Sequence, residues 1–319
     1  MRVVVTGVAG FIGAAVAARL VTEGHEVLGV DCFLPDLYSA QIKRDRITPL
    51  ASHANFQMHE RDLRVRSLTP MLDGTDVVVN LAAMPGLTPS WTEFQTYQDC
   101  NTLVVQRTLE DLVNHPGIHL IQASSSSVYG SRIDGSEDNL LQPISPYGVT
   151  KLAAEQLINA YRENYGIKAT VLRYFSAYGP GQRPDMAYAV ICRRILEGLP
   201  ISITSDGRQT RSNTFIDDVV DATLKACHVR PNSVLNISGA ESIALLDAVA
   251  IIADTLDREP TIEFIPARPG DQLATHGTSE RAAKELGWHP NTNMRAGLRL
   301  QALRAAKDHL EVHAGAVAH

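Results

Sequence analysis

Short β-branched runs alternate with amphipathic stretches through the first half of the chain. Arg2 to Thr6 is an apolar run that ends in Gly7-Val-Ala-Gly-Phe-Ile-Gly13, and an Ala-rich amphipathic segment follows it to about Thr22. Run, glycine turn and helical periodicity predict strand, turn and helix. Glu26 to Asp31 repeats the strand pattern, a polar helix-like stretch intervenes, and Asn55 to Glu60 reads as a third strand. Asp76 to Asn80 carries three consecutive valines, the pattern of a strand buried on both faces. Helical periodicity returns from about Phe94 to Val113, and His119 to Ala123 is a fifth strand. A helix opening at about Tyr147 runs to about Tyr165, and Lys168 to Arg173 is a sixth strand. This alternation, without an internal repeat, predicts an α/β fold built on a doubly wound parallel sheet.

The rhythm changes after Tyr174. Tyr178-Gly-Pro-Gly-Gln-Arg-Pro184 is a turn-rich junction, beyond which short helices mix with isolated strands at Pro200 to Thr204 and Thr261 to Ile265. We expect residues 1–175 to form the sheet domain, with 213–239 returning to it. Residues 176–212 and 240–319 are expected to form a smaller mixed α/β C-terminal domain over the sheet's carboxyl edge.

Composition narrows the class. The chain has 319 residues, 45% hydrophobic and 20% charged, enough for one large core or two modest ones. A formal charge of -6 without a dense Lys/Arg run argues against nucleic acid as a partner. The apolar stretches after Gly7 and around Leu245 to Ala253 are broken by Arg19 and Asp247, so no membrane span is expected. A strand in the first residues leaves no room for a signal peptide. Cys32, Cys100, Cys192 and Cys227 are scattered without C-x-x-C spacing, which suggests reduced thiols in a cytoplasmic protein. His115 and His119 are separated by Pro116-Gly117, and His309 and His313 fall in a polar tail; both pairs read as surface histidines, and no metal is expected.

Strand, glycine turn and helix together form a dinucleotide-binding, Rossmann arrangement. Gly7 permits the tight turn, Gly10 lets backbone amides approach a pyrophosphate, and Gly13 allows helix to pack on strand. Asp31 closes the second strand, where a carboxylate accepts from the adenosine ribose hydroxyls and repels a 2′-phosphate, which points to NAD. Leu81-Ala82-Ala83 leaves space at the fourth strand's end, and Ser124-Ser-Ser-Ser127 puts four hydroxyls at the fifth's. Tyr147 and Lys151 lie four apart on one helical face, where an ammonium beside a phenol favours the phenolate and makes a base for alcohol or ketone chemistry. Each feature alone also occurs without such a role: a fortuitous glycine turn, a strand-end Asp starting a turn, a solvated serine loop, a Tyr–Lys pair on a wet helix.

In their order, Gly7/Gly10/Gly13, Asp31, Asp62-Leu63, Leu81-Ala82-Ala83, the serines before Val128-Tyr129-Gly130, Tyr147, Lys151 and Arg173-Tyr-Phe resemble the extended short-chain dehydrogenase/reductase family, in its nucleotide-sugar epimerase branch. The resemblance covers nearly the whole chain. It implies Tyr147 as base, Lys151 lowering its pKa and holding the nicotinamide ribose, and Ser125 sharing the substrate hydroxyl's hydrogen bond. It also implies NAD held by Gly7, Gly10, Phe11, Ile12, Gly13, Asp31, Asp62, Leu63, Leu81, Ala82, Ala83, Tyr147, Lys151 and Tyr174.

Related dehydratases and decarboxylases carry a carboxylic acid just after the catalytic Ser/Thr, where this chain has Ser126 and Ser127. Elimination then lacks its proton donor, and reversible oxidation and reduction at carbon 4 of a sugar remains. Tyr178-Gly-Pro-Gly-Gln-Arg-Pro-Asp-Met186 is similar to the UDP-glucuronate 4-epimerases. That similarity implies Arg183 and Ser176 on the sugar carboxylate, and Arg211, Arg268 and Asp271 on the UDP diphosphate and ribose. Gly86, Ser125, Ser126, Ser127 and Tyr147 complete the expected substrate contacts, and Arg208 reads as surface charge. Relatives commonly have His at Asn80, Arg near Thr88 and Asp at Ser212, so UDP-glucose or a UDP-N-acetylhexosamine stays open as substrate. A decarboxylase or dehydratase of the same fold and a non-catalytic NAD-binding scaffold are the further alternatives. The helices around Leu103 to Leu112 and Leu152 to Tyr161 form a dimer's four-helix bundle in relatives, and a homodimer is expected.

Overall fold

The computed structural model describes residues 1–35, 37–131, 134–266 and 274–317. Seven strands form one parallel sheet: β1 (Arg2–Thr6), β2 (Glu26–Asp31), β3 (Phe56–Glu60), β4 (Val77–Asn80), β5 (His119–Ser125), β6 (Lys168–Tyr174) and β7 (Val234–Ile237). Their order across the sheet is β7-β6-β5-β4-β1-β2-β3. Val3 pairs with Val27 on one side and Val77 on the other. The chain therefore winds outward from β1 in one direction and then from β4 in the other, leaving a crevice at the carboxyl ends of those two strands.

Alternation along the strands sends side chains to two cores. Val3, Val5, Val77, Val79 and Ile121 join α1 (Phe11–Thr22) on one face, through Val16 and Leu20. Val4, Val78 and Leu120 go to the other face, where they meet Val105 and Leu109 of α4 (Val104–Val113) and Ile158 of α5 (Pro146–Tyr165). Burial on both faces explains why these strands read as unbroken apolar runs.

The helical stretch predicted from Phe94 to Val113 is not uniform. An α-helical segment, α3 (Phe94–Gln98), passes through a π-helical turn at Asp99–Leu103 before α4 begins. The polar stretch after β2 contains α2 (Ala40–Ile47), capped by Ser39. Two corrections concern histidines. His119 is 4% exposed, because it begins β5 and packs toward β6, where its Nε2 meets Thr170 Oγ1 at 2.8 Å. The C-terminal segment holding His309 is not a loose polar tail but a long helix over Met294–Val317, anchored by buried Met294, Leu298 and Ala302.

Smaller sheets lie outside the seven-stranded one. Ile201–Thr204 pairs in parallel with Ile262–Ile265. Ser242–Ala244, Thr210–Ser212, Ala274–Gly277 and Asp134–Gly135 line up as a four-stranded sheet. Between these elements the chain passes through α6 (Ala187–Leu196) and re-enters the main sheet: α7 (Ile216–Val229) packs on α1, and β7 pairs with β6, Val234 opposite Val171.

Candidate active site

The turn after β1 is built by close approach. Gly7 has φ +64°, and a Cβ there would stand 2.8 Å from the backbone of Leu81 and Ala82 after β4. A Cβ on Gly13 would lie 2.2 Å from Gly7 O, and one on Gly10 3.0 Å from the same oxygen. Only glycine lets α1 start directly above the crevice, with its amino end facing the space where a phosphate is best held. Asp31 reaches back to this turn, its carboxylate accepting from Ala9 N at 3.0 Å and Phe33 N at 2.8 Å. These groups fit a dinucleotide: a side-chain-free turn under a helix terminus and an acid at the neighbouring strand end.

Behind the turn lies a buried polar chain with no obvious sequence signal. Thr6 Oγ1 donates to Asn80 Oδ1 at 2.5 Å, and Asn80 Nδ2 donates to Gln122 Oε1 at 2.8 Å. Ala82 N donates to Thr6 Oγ1 at 3.1 Å, so β1, β4 and β5 are tied at the floor of the crevice. Asn80 thus has a structural task of its own.

On the far side, Ser145 caps α5 by accepting from Gly148 N at 3.1 Å, and Pro146 occupies the first turn. This fixes Tyr147 at the helix entrance, half-buried in the cleft and hydrogen-bonded to Ser125 at the end of β5. Tyr97, fully buried, sets its ring edge-on against Tyr147 with centroids 6.2 Å apart, while its hydroxyl donates to Pro85 O at 2.8 Å. Burial pushes the Tyr147 pKa up; the Ser125 hydrogen bond and the positive charge of Arg183 pull it back down. The sequence reading gives that lowering to Lys151. In the structure Lys151 Nζ is instead turned to Ala123 O at 3.0 Å, beneath the end of β5. Burial lowers the Lys151 pKa to about 8, against the opposing pull of Glu155.

Glu155 is a residue the sequence reading missed. It lies one turn beyond Lys151 on α5 and accepts from Arg173 through Nε at 3.0 Å and Nη2 at 2.7 Å, and from Ser124 Oγ. The signal was available as a charged residue eight positions after Tyr147, on the face that must be buried.

Arg183 comes to the same cleft. Its side chain is 12% exposed and its fork is closed on Asp185, Nε to Oδ1 at 3.0 Å and Nη2 to Oδ2 at 2.8 Å. Arg46 of α2 links the two halves of the cleft, donating to Ala9 O at 3.2 Å and to Gly181 O at 3.0 Å. Neither Asp185 nor Arg46 was among the expected site residues.

Other expected residues fall as follows. Asp62 is gripped by Arg64, whose guanidinium lies 2.9 Å from its carboxylate and lowers its pKa, and Leu63 beside it is buried. Phe11 and Ile12 open α1 and are partly buried against the core. Tyr174 is 8% exposed and its hydroxyl meets Thr223 Oγ1 of α7 at 2.8 Å, with its ring in the core. Gly86 has φ +108° and packs beneath the Tyr97 hydroxyl. Ser126 and Ser127 form the first part of a 3-10 turn, with Ser127 N donating to Ser125 Oγ at 3.2 Å. Ser176 is exposed at the end of β6, and Arg211 lies on the strand Thr210–Ser212. Ser212 is buried with its hydroxyl 2.9 Å from Ser242 Oγ, and Thr88 immediately precedes the short turn Pro89–Trp91. Arg268 and Asp271 lie outside the described residues. Among the described residues, Glu23, His25 and His228 form one cluster of metal-ligand types. It sits at the sheet's amino edge, with Glu23 engaged by Arg19 at 2.6 Å.

A glycine turn at the switch point of a doubly wound sheet, with Ser125, Tyr147 and Lys151 gathered beside it, defines an extended short-chain dehydrogenase/reductase. A family model described as the NAD dependent epimerase/dehydratase family matches residues 3–238, and the chain belongs to that family. An uncharacterized UDP-glucose epimerase of Bacillus subtilis, YtcB, is 37% identical over 305 residues, covering 93% of this chain and 96% of its own. The UDP-glucuronate 4-epimerase of Thermodesulfobacterium geofontis is 32% identical over 314 residues, covering 97% of both chains. The crystal structure of UDP-glucuronic acid 4-epimerase from Bacillus cereus, in complex with UDP-glucuronic acid and NAD, superposes with a TM-score of 0.93 at 36% identity. That match covers 96% of this chain and 99% of the other.

Proposed function

We propose that this protein is an NAD-dependent isomerase that interconverts UDP-glucuronate and UDP-galacturonate by inverting carbon 4 of the sugar. The observation that carries the reading is Arg183, a nearly buried guanidinium whose charge acts on the Tyr147 phenol. A cation placed beside the base suits a sugar that brings its own carboxylate.

The residues divide the work. The turn Gly7–Gly13 and the amino end of α1 would hold the pyrophosphate of NAD, and Asp31 would hold the adenosine ribose. When bound, NAD supplies the chemistry of taking hydride from carbon 4 and returning it. Tyr147 takes the proton of the 4-hydroxyl, and Ser125, already hydrogen-bonded to it, shares that proton as the oxygen becomes a carbonyl. A Lys151 pKa of about 8 leaves its ammonium mostly charged at pH 7, with two N–H donors beyond the one given to Ala123 O.

The resulting 4-keto uronate is a β-keto acid prone to lose carbon dioxide. A guanidinium fork that fixes the carboxylate near the plane of the ring keeps the breaking bond out of line with the carbonyl π system. Ser126 and Ser127 offer hydroxyls where an acid would be needed for elimination. Once the 4-keto sugar has turned to present its opposite face, Tyr147 would give the proton back to the 4-oxygen. Net redox change is zero.

The homodimer belongs to this reading as well: Trp91, Phe94 and Val149 stay exposed on the elements around α5, and a two-chain mass in solution is the expected result. The function is tested by incubating purified protein with UDP-glucuronate without added reductant and resolving the products by chromatography and proton NMR. UDP-galacturonate is the expected product. Conversion of UDP-glucose or UDP-N-acetylglucosamine with UDP-glucuronate untouched would overturn the assignment of Arg183.

A further inference from the structure

The contact between Arg183 and Asp185 bears on how this cleft chooses its sugar. Arg183 Nε and Nη2 close side-on over both carboxylate oxygens of Asp185, at 3.0 and 2.8 Å. The two residues lie in one tight turn, with Met186 N donating to Arg183 O at 3.1 Å just before the helix Ala187–Leu196 begins. Nη2 also lies 3.5 Å from Met186 Sδ, so the lateral edge of the guanidinium is fully engaged. Asp185 is exposed at the cleft mouth while the Arg183 side chain is only 12% exposed, so the carboxylate closes the solvent side of a guanidinium that is otherwise covered. Both charges reach the phenol of Tyr97, whose ring leans on Tyr147. A carboxylate therefore already stands near Tyr97, on the same guanidinium whose charge reaches Tyr147 and that a uronate would need.

We propose that Asp185 is a placeholder carboxylate: it holds and neutralises Arg183 in the absence of a uronate and yields the guanidinium to the substrate's own carboxylate on binding. The inference rests on the reading of Arg183 as the carboxylate-binding residue. Its physical content is an exchange of like for like. A uronate replaces one two-point, charge-assisted fork with another, so Arg183 is never left buried and unpaired. A sugar ending in a hydroxymethyl group offers no equivalent acceptor and cannot displace Asp185. Selection for acidic sugars would then lie in the Asp185 competition as much as in the Arg183 attraction.

The test is isothermal titration of the NAD-loaded protein with UDP-glucuronate, UDP-glucose and UDP, in wild type, Asp185→Asn and Asp185→Glu. Asparagine keeps the shape and removes the competing charge, so the Kd for UDP-glucuronate should fall by about five- to tenfold. Kd values for UDP and UDP-glucose should stay within about twofold, because neither carries a carboxylate on the sugar. Glutamate restores a competing charge and should return the UDP-glucuronate Kd toward wild type. An unchanged or weakened Kd for UDP-glucuronate in Asp185→Asn, with UDP binding intact, overturns the proposal, as does a glutamate variant indistinguishable from the asparagine one. If asparagine disturbs the turn, UDP affinity changes with it, and the glutamate variant then decides. Both uronates carry the carboxylate, so the affinity ratio is read whether or not carbon 4 is inverted, whereas the epimerase reading fails on the absence of product from wild type, so the two failures are separable.

Discussion

Glu155 and Arg173 form a two-point ion pair inside the protein, with both side chains 4% exposed and the nearest atoms 2.7 Å apart. Arg173 also donates to Tyr129 Oη at 2.8 Å, and Tyr129 in turn donates to Asn236 Oδ1 at 2.7 Å on β7. The pair therefore joins α5, which carries Tyr147 and Lys151, to the last strand of the sheet. Replacing Glu155 alone by Leu leaves a buried, unpaired guanidinium and should cost about 3–5 kcal/mol in unfolding free energy. The double replacement Glu155→Leu with Arg173→Met should recover much of that loss. Urea titration of the single and double variants checks this, and equal losses would show that the pairing is not what matters.

Tyr147→Phe removes the base while keeping the ring that Tyr97 packs against. Turnover should fall by roughly 10²- to 10⁴-fold. Affinity for UDP should not change, which separates loss of chemistry from loss of fold. Single-turnover rates and a UDP titration on the same preparation give both numbers.

Ser125 lowers the pKa of Tyr147 through its hydrogen bond. In Ser125→Ala that pull is gone and the phenol titrates higher. A base must be deprotonated to act, so the acid limb of the kcat/KM profile should move to higher pH. A pH–rate profile of the variant over pH 6 to 10 reads the shift; a limb that stays in place would mean another group controls it.

His119 should mark the acid stability of the fold. Burial, with the charges of Arg230, Arg162 and Lys168, pushes its pKa down to about 4. Thr170 gives its own proton to Pro231 O, so its oxygen must accept from His119 Nε2–H, which fixes the tautomer of the neutral ring. The unfolded chain binds this proton near pH 6.5 and the folded chain does not, so the stabilising effect is complete above about pH 6.5 and is lost as pH falls toward 4. The difference amounts to about 3 kcal/mol at most. Unfolding free energies of wild type and His119→Gln between pH 4 and 7 should converge at the acid end, and parallel curves would refute the assignment.

Gly13→Ala should lose bound dinucleotide first. Its Cβ would enter the carbonyl of Gly7 at 2.2 Å, forcing α1 away from the turn. NAD affinity should drop by at least tenfold together with a lower Tm, from overpacking of about 1–3 kcal/mol. Equilibrium dialysis and a thermal scan test the two together.

The strands were legible because the physics that forms them is local. Val3 to Val5 and Val77 to Val79 are buried on both faces, and nothing but a parallel strand presents such runs at this length. The glycine turn was equally readable, since Gly7, Gly10 and Gly13 stand where backbone approach forbids a Cβ. The π-helical turn at Asp99–Leu103 was not, because one extra residue in a helix leaves the composition unchanged. It matters nonetheless: Asn101 in that turn accepts from Met84 N at 2.7 Å and donates to Met84 O at 3.0 Å, holding the segment that leads to Gly86 and Thr88. His119 was read correctly as the start of a strand but taken for a surface residue, because its Thr170 partner lies 51 positions away on the neighbouring strand. Arg46 was invisible for a different reason. Its partners, Ala9 and Gly181, lie 37 and 135 positions away, and no periodicity links them. Asp185 lies in the same short motif as Arg183, and nothing in its spacing marks it as that arginine's partner.

Sheet order also has a consequence for the order of synthesis. The outer edge of β6 is closed only by β7, through bonds such as Phe175 N to Ile237 O at 3.0 Å, and 60 residues separate Tyr174 from Val234. A ribosome takes roughly 3–12 s to add them. Throughout that interval a nascent chain carries Val171 and Leu172 on an open strand edge, a template for any neighbouring chain in the same state. Cooler expression, which slows chain–chain encounter, should raise the yield of native protein, whereas a truncation ending at residue 175 would make that transient permanent and precipitate.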